Sequence, residues 1–460
     1  MADRVVVPFA GEGSGTGELT WGQKTVWRGV LSRNGAPIWL IGIEEVADGR
    51  TIEDIAGDFT FLISRHQALR TRLIVHSDDW VEQVVSDSGE ITLDVVDAAD
   101  DVDPRDAADA AEEEYSEAPR DYAVDWPVRA TVIRHRGVPR YVVTCICHSS
   151  VDGFGTLTLK KDLDSRDQVT GEAATPMTAM QPLELARWQV SPAGQRRSAA
   201  VERHWDKVLR TIPPRRFRDA GEAAEPFYWR VTFSSRALFL AAQAVAARAG
   251  YDTSPVLLAG FAAGMAKVSG INPTVPRVMV NNRFRPRLAD SVGPLSQTCP
   301  CVIDVAGITF DEAVRRAYSA SLVAFKNAYF EPVRIREILM AASEDRGTDI
   351  DVDLLYNDRR STGSEGDGGA GAGAGRGVTR PLADRAELAQ ALTQTTLTWE
   401  SSEDPMDVCH VHVLPVFDTI DVMVFFNTHY ISPGDIETVL RHMETTIATA
   451  AHDPSVTTGV

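Results

Sequence analysis

The stretch Tyr141–Leu163, YVVTCICHSSVDGFGTLTLKKDL, decides how this chain is read. Its first residues are apolar, β-branched or aromatic, the composition of a strand. From Phe154 onward the pattern changes to that of a helix. Between them lies Cys147-His148-Ser149-Ser150-Val151-Asp152-Gly153. A strand that ends in His and turns through Asp-Gly into a helix leaves the imidazole at an element edge. There it can face a cleft and sit beside the positive end of the helix. Asp152 can fix the turn by bonding backbone amides or a distant arginine. Gly153 would supply a backbone geometry that other residues resist. By chemistry alone such a histidine has two readings, structural and catalytic.

Working outward, Thr20 and Gln23 form a capping box before Trp21, Val26, Val30 and Leu31. Ile52, Ile55, Phe59, Leu62 and Ile63 recur at helical spacing, followed by short strand-like runs and a hairpin around Gly137. The second half repeats the theme without repeating the sequence. Helices are expected at Arg196–Leu209, Arg236–Arg248, Pro255–Val268, Phe310–Asn327 and Pro433–Ala450. Strands are expected at Phe227–Phe233, Arg277–Asn281, Val302–Val305, Asp351–Tyr356, Val408–Leu414 and Ile420–Phe426. The chain therefore reads as mixed α/β in two lobes, residues 1–180 and 181–460, with a flexible Gly-rich loop at 361–377.

Composition narrows the function classes. The chain has 460 residues, of which 44% are hydrophobic and 24% charged, so it is long enough for at least two cores. It contains no 18-residue apolar run, and its first residues do not form a secretory signal. Five cysteines are too few for a disulfide framework, which predicts reduced thiols and a cytoplasmic protein. A net charge of −19 argues against a broad nucleic-acid surface. That charge is uneven. Asp78–Asp125 holds 18 acidic residues against Arg105 and Arg120, whereas Gln195–Arg218 holds eight basic residues against Glu202 and Asp206. Two solvated helix faces account for this, as does a docking patch for an acidic partner.

Other candidate sites are weaker. Cys145, Cys147 and His148, with Cys299 and Cys301, have C-x-C rather than C-x2-C spacing, so no metal is expected and buried small thiols are favoured. His410 and His412 share a strand face and read as satisfied or exposed side chains. Asp404 and Asp407 read as a turn, and Trp21, Trp27 and Trp39 as packing aromatics.

HxxxDG at a strand-to-helix turn resembles the signature of the superfamily that contains nonribosomal peptide synthetase condensation domains and chloramphenicol acetyltransferase. The full motif there is HHxxxDG, with His148 matching its second histidine. Four further stretches match in order. LTWGQKTVW (Leu19–Trp27) is similar to the opening helix and RHQALRTRL (Arg65–Leu73) to "RHEALRTRF". NRFRPRLADSVGPLSQT (Asn282–Thr298) resembles "GRxxPELxxxVGxFVNT". The stretch from Val416 to Ile447 is similar to the closing strand–helix unit. These matches span nearly the whole chain.

The resemblance implies two acetyltransferase-like lobes forming a V, with an active-site tunnel between them. It makes His148 the active-site imidazole. Asp152 becomes a structural group paired across the site, between the lobes, with Arg283, and the Gly153 amide a donor to a developing oxyanion. The implied reaction is attack by a small-molecule amine or alcohol on an acyl or aminoacyl thioester. That thioester would be held on the phosphopantetheine arm of an acyl or peptidyl carrier protein, with no bound cofactor. Arg196, Arg197, Arg203, Lys207, Arg210, Arg215, Arg216 and Arg218 would then be the docking patch for the acidic carrier.

Cys147 in place of the first histidine, LSQT for FVNT, Gly155 after DGF and IDVDLLYNDRR in place of "RDxSRNP" depart from the pattern. They point to a divergent, stand-alone, monomeric condensation enzyme of nonribosomal peptide or related natural-product biosynthesis. A coenzyme A-dependent acyltransferase is the alternative enzyme, although the DFGWG motif of plant-type members is absent. A non-catalytic recruitment protein is the third reading, although such relatives usually lose the histidine that is present here.

Overall fold

The computed structural model describes residues 3–167, 170–218, 223–360, 384–402 and 408–460. The expected loop at 361–377 and the Asp404/Asp407 pair lie outside these residues. The chain divides into two compact units, Met1–Arg196 with Arg283–Ser296, and Arg197–Asn282 with Gln297–Val460. The first unit thus runs past residue 180 to Arg196 and takes back a short segment from the middle of the chain.

The first unit contains β1 (Asp3–Ala10), β2 (Gly15–Glu18), α1 (Trp21–Ser32), β3 (Trp39–Glu45), α2 (Ile52–Arg65), β4 (Thr71–Ser77), β5 (Trp80–Val85), β6 (Ser88–Ala98), α3 (Pro104–Glu117), β7 (Val128–His135), β8 (Val138–Cys147), α4 (Gly153–Asp164) and α5 (Pro182–Val190). A five-stranded sheet has the order β1-β6-β7-β8-β3, with only β6–β7 parallel, and a smaller sheet has the order β2-β5-β4. The Thr20–Gln23 capping box closes in both directions, at 3.2 and 2.8 Å. Arg136 and Gly137 take positive φ values of 51° and 78°, the geometry of a tight hairpin turn between β7 and β8.

Period-2 alternation buries both faces of the larger sheet. Val128, Ala130, Val132 and Ile146 pack with Ile55, Phe59 and Ile63 of α2. Ile133, Val143 and Cys145 pack with Ala108 and Tyr115 of α3.

The second unit is built from α6 (Pro192–Leu209), whose residues up to Arg196 fall in the first unit, β9 (Tyr228–Ser235), α7 (Arg236–Ala249), α8 (Ser254–Ser269), β10 (Arg277–Val280), β11 (Gln297–Pro300), α9 (Phe310–Lys326), α10 (Pro332–Arg346), β12 (Leu354–Asp358), α11 (Arg385–Leu392), β13 (Thr396–Ser402), β14 (Cys409–Leu414), β15 (Ile420–Asn427) and α12 (Pro433–His452). Its seven strands run β11-β10-β12-β14-β15-β9-β13. Their inward residues, Val231, Phe233, Val411, Val424 and Phe426 among them, share one core with α7, α8 and α12. Helix α8 approaches α12 closely because a Cβ on Gly264 would come 2.7 Å from the Val439 carbonyl oxygen.

The expected strand Val302–Val305 is only an isolated bridge between Thr274 and Ile303; the strand lies earlier, at β11. Helix α10 escapes pattern reading because it buries only Ile335 and Ala342, so no apolar stripe marks it. Among the described residues, no helix is long and apolar enough to cross a membrane.

Candidate active site

His148 follows directly on β8. Its amide donates to the Ile38 carbonyl at 2.8 Å, so the β3–β8 ladder reaches the histidine itself. The turn that follows is closed by the Ser150 amide on the Cys147 carbonyl at 2.9 Å. The half-buried imidazole has Nδ1 2.8 Å from the Val151 carbonyl oxygen. A carbonyl only accepts, so Nδ1 carries a proton in this bond and Nε2 is the nitrogen left for another partner. The backbone of the same turn thereby orients the ring.

Cys147, one residue earlier, has the opposite strand parity and is fully buried with Leu19, Trp27, Val30, Leu73 and Tyr122. Its sulfur accepts from Ser149 Oγ at 3.2 Å. The cysteine is part of the packing beneath the turn.

Asp152 caps α4, its Oδ1 accepting from the Gly155 amide at 2.8 Å. The structure brings Arg283 to the same carboxylate, with Nη2 2.8 Å from Oδ1 and Nη1 3.0 Å from Oδ2. Oδ2 also accepts from the Leu295 and Ser296 amides, both at 2.9 Å, and from Ser296 Oγ at 2.8 Å. Asp152 is 2% exposed and Arg283 8%. Burial pushes the carboxyl upward, but Arg283, Ser296 and the Gly155 amide outweigh it and hold it below the usual range. An ionised group with six donors has no lone pair left for proton transfer. Arg283 in turn donates to the Ser291 and Gly293 carbonyls, both at 3.1 Å.

The pair was expected to span two lobes. Both partners instead belong to the first unit, where Asp152 gathers the returning segment Arg283–Ser296 onto the N-terminus of α4. That segment is also tied by Lys161 to Asp290 at 2.7 Å. It passes so close to α1 that a Cβ on Gly22 would overlap the Pro294 carbonyl.

The far end of α4 is clamped to α2. Arg65 Nε lies 2.7 Å and His66 Nε2 2.9 Å from Asp162, and Arg166 pairs with Asp58 at 2.7 Å. The RHQALRTRL stretch therefore fixes the helix whose N-terminus faces His148's turn.

Gly153 differs from its sequence reading. It has no left-handed φ, it is exposed, and a Cβ there would meet nothing within 4 Å. Its contribution is an open helix N-terminus, where the Gly153 and Phe154 amides stand outside the bond that Asp152 makes to Gly155. The sterically constrained glycine is Gly155, where a Cβ would lie 2.6 Å from Val151 Cγ2 and 3.3 Å from Arg283 Nη2. Gly155→Ser should cost about 1–3 kcal/mol through overpacking. Denaturant unfolding checks this, and an unchanged midpoint would show that the turn yields freely.

Sequence reasoning also missed Arg120 and the role of Ser296, which the sequence shows only as part of the departure from FVNT. Arg120 is buried beneath the turn, 3.3 Å from Ser149 Oγ and stacked over Tyr122. Only the fold brings either beside the histidine turn.

The eight residues of the basic stretch separate into distinct groups. Arg196, Arg203, Lys207, Arg210, Arg215 and Arg218 are exposed. Arg197 is half-buried and donates to the Lys326 carbonyl at 2.6 Å. Arg216 cannot serve a docking surface. It is 4% exposed, its Nε donates to the Asp351 carbonyl at 2.8 Å, and burial lowers its guanidinium to about 10.

All five cysteines are buried, and burial pushes the Cys145, Cys301 and Cys409 thiols up to about 12, away from thiolate ligand chemistry. Among the described residues, no group of three or more His, Cys, Asp or Glu side chains could hold a metal. His412 is lowered to about 4 by burial, with His410 and Arg359 adding to the effect, so it is neutral.

With this geometry in view, the chain can be set beside known proteins. The family model described as "Condensation domain" matches residues 52–459. The phosphinothricin tripeptide synthetase PhsC of Streptomyces viridochromogenes is 26% identical over 306 residues, 64% of this chain. The nonribosomal peptide synthetase kk1B of Curvularia clavata is 24% identical over 308 residues, also 64% of this chain. The chain covers only 28% and 2% of the lengths of these two relatives.

Among solved structures, the SgcC5 protein from Streptomyces globisporus matches with a TM-score of 0.69 at 18% identity, over 96% of this chain and 100% of that one. A condensation domain from the enacyloxin polyketide synthase system matches at 0.68 and 18% identity, over 94% of this chain and 82% of that one. Both share the mixed α/β fold. The motif at His148, the family match over most of the chain and the shared fold agree: this chain belongs to the condensation-domain family.

Proposed function

We propose that the chain catalyses attack of an amine or alcohol on an acyl or aminoacyl thioester carried by the phosphopantetheine arm of a carrier protein, forming an amide or ester. The carrying observation is the bond from His148 Nδ1 to the Val151 carbonyl, which leaves Nε2 as the nitrogen for another partner. A nucleophile that donates its hydrogen to Nε2 is oriented and made more electron-rich at the attacking atom. As its lone pair bonds to the thioester carbonyl carbon, the proton passes to Nε2 and negative charge develops on the carbonyl oxygen. The exposed amide of Gly153, at the positive end of α4, is suited to that charge. Collapse of the tetrahedral adduct breaks the carbon–sulfur bond, and the departing thiolate recovers the proton from the imidazolium. Asp152 takes no part in this transfer; it and Arg283 hold the turn from which the imidazole and the Gly153 amide project.

Intact-mass spectrometry tests the proposal. The protein is offered matched acyl groups on holo carrier proteins and on coenzyme A, with a panel of amines and alcohols. Amide or ester formed from the carrier thioester is expected. Product from coenzyme A alone would move the protein to the coenzyme A-dependent class, and no product from either donor would favour recruitment without catalysis.

A further inference from the structure

Helix α6 presents a basic stripe that its own unit neutralises only at its C-terminal end. Arg203, Lys207 and Arg210 follow at steps of four and three, with Arg196 seven residues before Arg203, so all four share one face of a 3.6-residue helix. Ser198, Val201, Trp205 and Leu209 form the opposite, buried face. Exposed arginines elsewhere are mostly ion-paired, as Arg287 is with Glu184 at 2.7 Å and Arg248 with Asp311 at 2.6 Å.

On α6 the two acids are already engaged. Ser198 Oγ donates to Glu202 at 2.8 Å, and Arg210 Nε to Asp206 at 2.8 Å. Arg210 also reaches Asp345 at 2.9 Å, which neutralises the C-terminal end of the stripe. Arg203 and Lys207 are exposed and have no carboxylate partner among the described residues. Arg218, exposed beyond the helix, adds to the positive charge.

In a chain of net charge −19, unpaired cations aligned on one helix face stand against the prevailing charge. The same net charge repels nucleic acid, whose binding requires many phosphate contacts at once.

We infer that the α6 face centred on Arg203 and Lys207 docks an acidic helical protein, the carrier that delivers the thioester. The inference rests on the carrier-dependent reaction proposed above. Opposite charge at such a rim raises the association rate and selects the partner, and salt weakens it. Because neither Arg203 nor Lys207 holds another residue, reversing both leaves the fold intact.

The test measures binding apart from turnover. A panel of acidic holo carrier proteins, labelled with a fluorophore on the phosphopantetheine thiol, is titrated with wild type, with Arg203→Glu/Lys207→Glu and with the charge-keeping Arg203→Lys/Lys207→Arg. Reversal should raise Kd about 10-fold or more, remove most of the salt dependence, and leave the charge-keeping variant near wild type. In transfer assays the KM for carrier-bound donor should rise while that for a small N-acetylcysteamine thioester stays constant.

Equal binding by wild type and the reversed variant, or no binding of any carrier by wild type, overturns the inference. Charge-dependent binding without transfer would leave the docking surface standing and overturn the proposed reaction instead.

Discussion

Replacing His148 by alanine should lower carrier-dependent transfer by about 10²–10⁴-fold, the usual contribution of a positioned proton-transfer group. The loss should appear in kcat more than in KM, because in the proposed reaction the imidazole acts on the nucleophile as the new bond forms. The half-buried ring makes one backbone contact, to Val151, so the thermal midpoint should move by no more than about 2–4 °C. His148→Gln offers a sharper comparison. Its amide can donate to the Val151 carbonyl but presents no basic nitrogen to the nucleophile, so it should restore the turn without the rate. Transfer unaffected in both variants would remove His148 from the chemistry.

Asp152→Asn should be the most damaging substitution for stability. Every atom facing the carboxylate is a donor: the Gly155, Leu295 and Ser296 amides, the Ser296 hydroxyl and two Arg283 nitrogens. An asparagine must turn its NH2 group towards some of them, and it leaves the buried guanidinium without its counter-charge. Breaking one side of such a pair costs about 3–5 kcal/mol, which corresponds to about 6–20 °C in the thermal midpoint.

The pH dependence has a definite sign. The Asp152 carboxyl titrates lower in the folded state than its model value of 3.8. Its contribution is therefore present above about pH 4 and lost as pH falls through the lower folded value. The gap between wild type and Asp152→Asn should be constant near neutrality and close in acid; a gap that widens in acid would contradict the assignment. Arg283→Met should cost a similar amount, and the double substitution less than the sum of the two.

Much of this was readable along the chain because it rests on local physics. The capping box at Thr20–Gln23, the hairpin at Gly137 and the strand–turn–helix around His148 each depend on residues within a few positions of one another. Their spacing carries the signal. The same local logic overreached at Gly153, where a glycine in a turn was read as a backbone requirement. The space around it is open, and the crowding falls two residues later on Gly155, against Val151 and Arg283. No spacing rule reveals that, because Arg283 lies 128 residues after Gly155 in sequence.

Charge behaves likewise. The run from Arg196 to Arg218 is equally basic along its length in sequence. Burial then makes Arg216 a ligand of the Asp351 carbonyl and leaves Arg203 and Lys207 exposed on α6. The sequence by itself determined the mixed α/β class, the family and which histidine stands at the strand-to-helix turn, since those follow from short-range pattern and motif order. Only the tertiary structure decided which nitrogen of His148 bonds the backbone, which donors saturate Asp152 and which arginines remain exposed. Each of those depends on backbone carbonyls, amides and neighbours that long-range folding brings together.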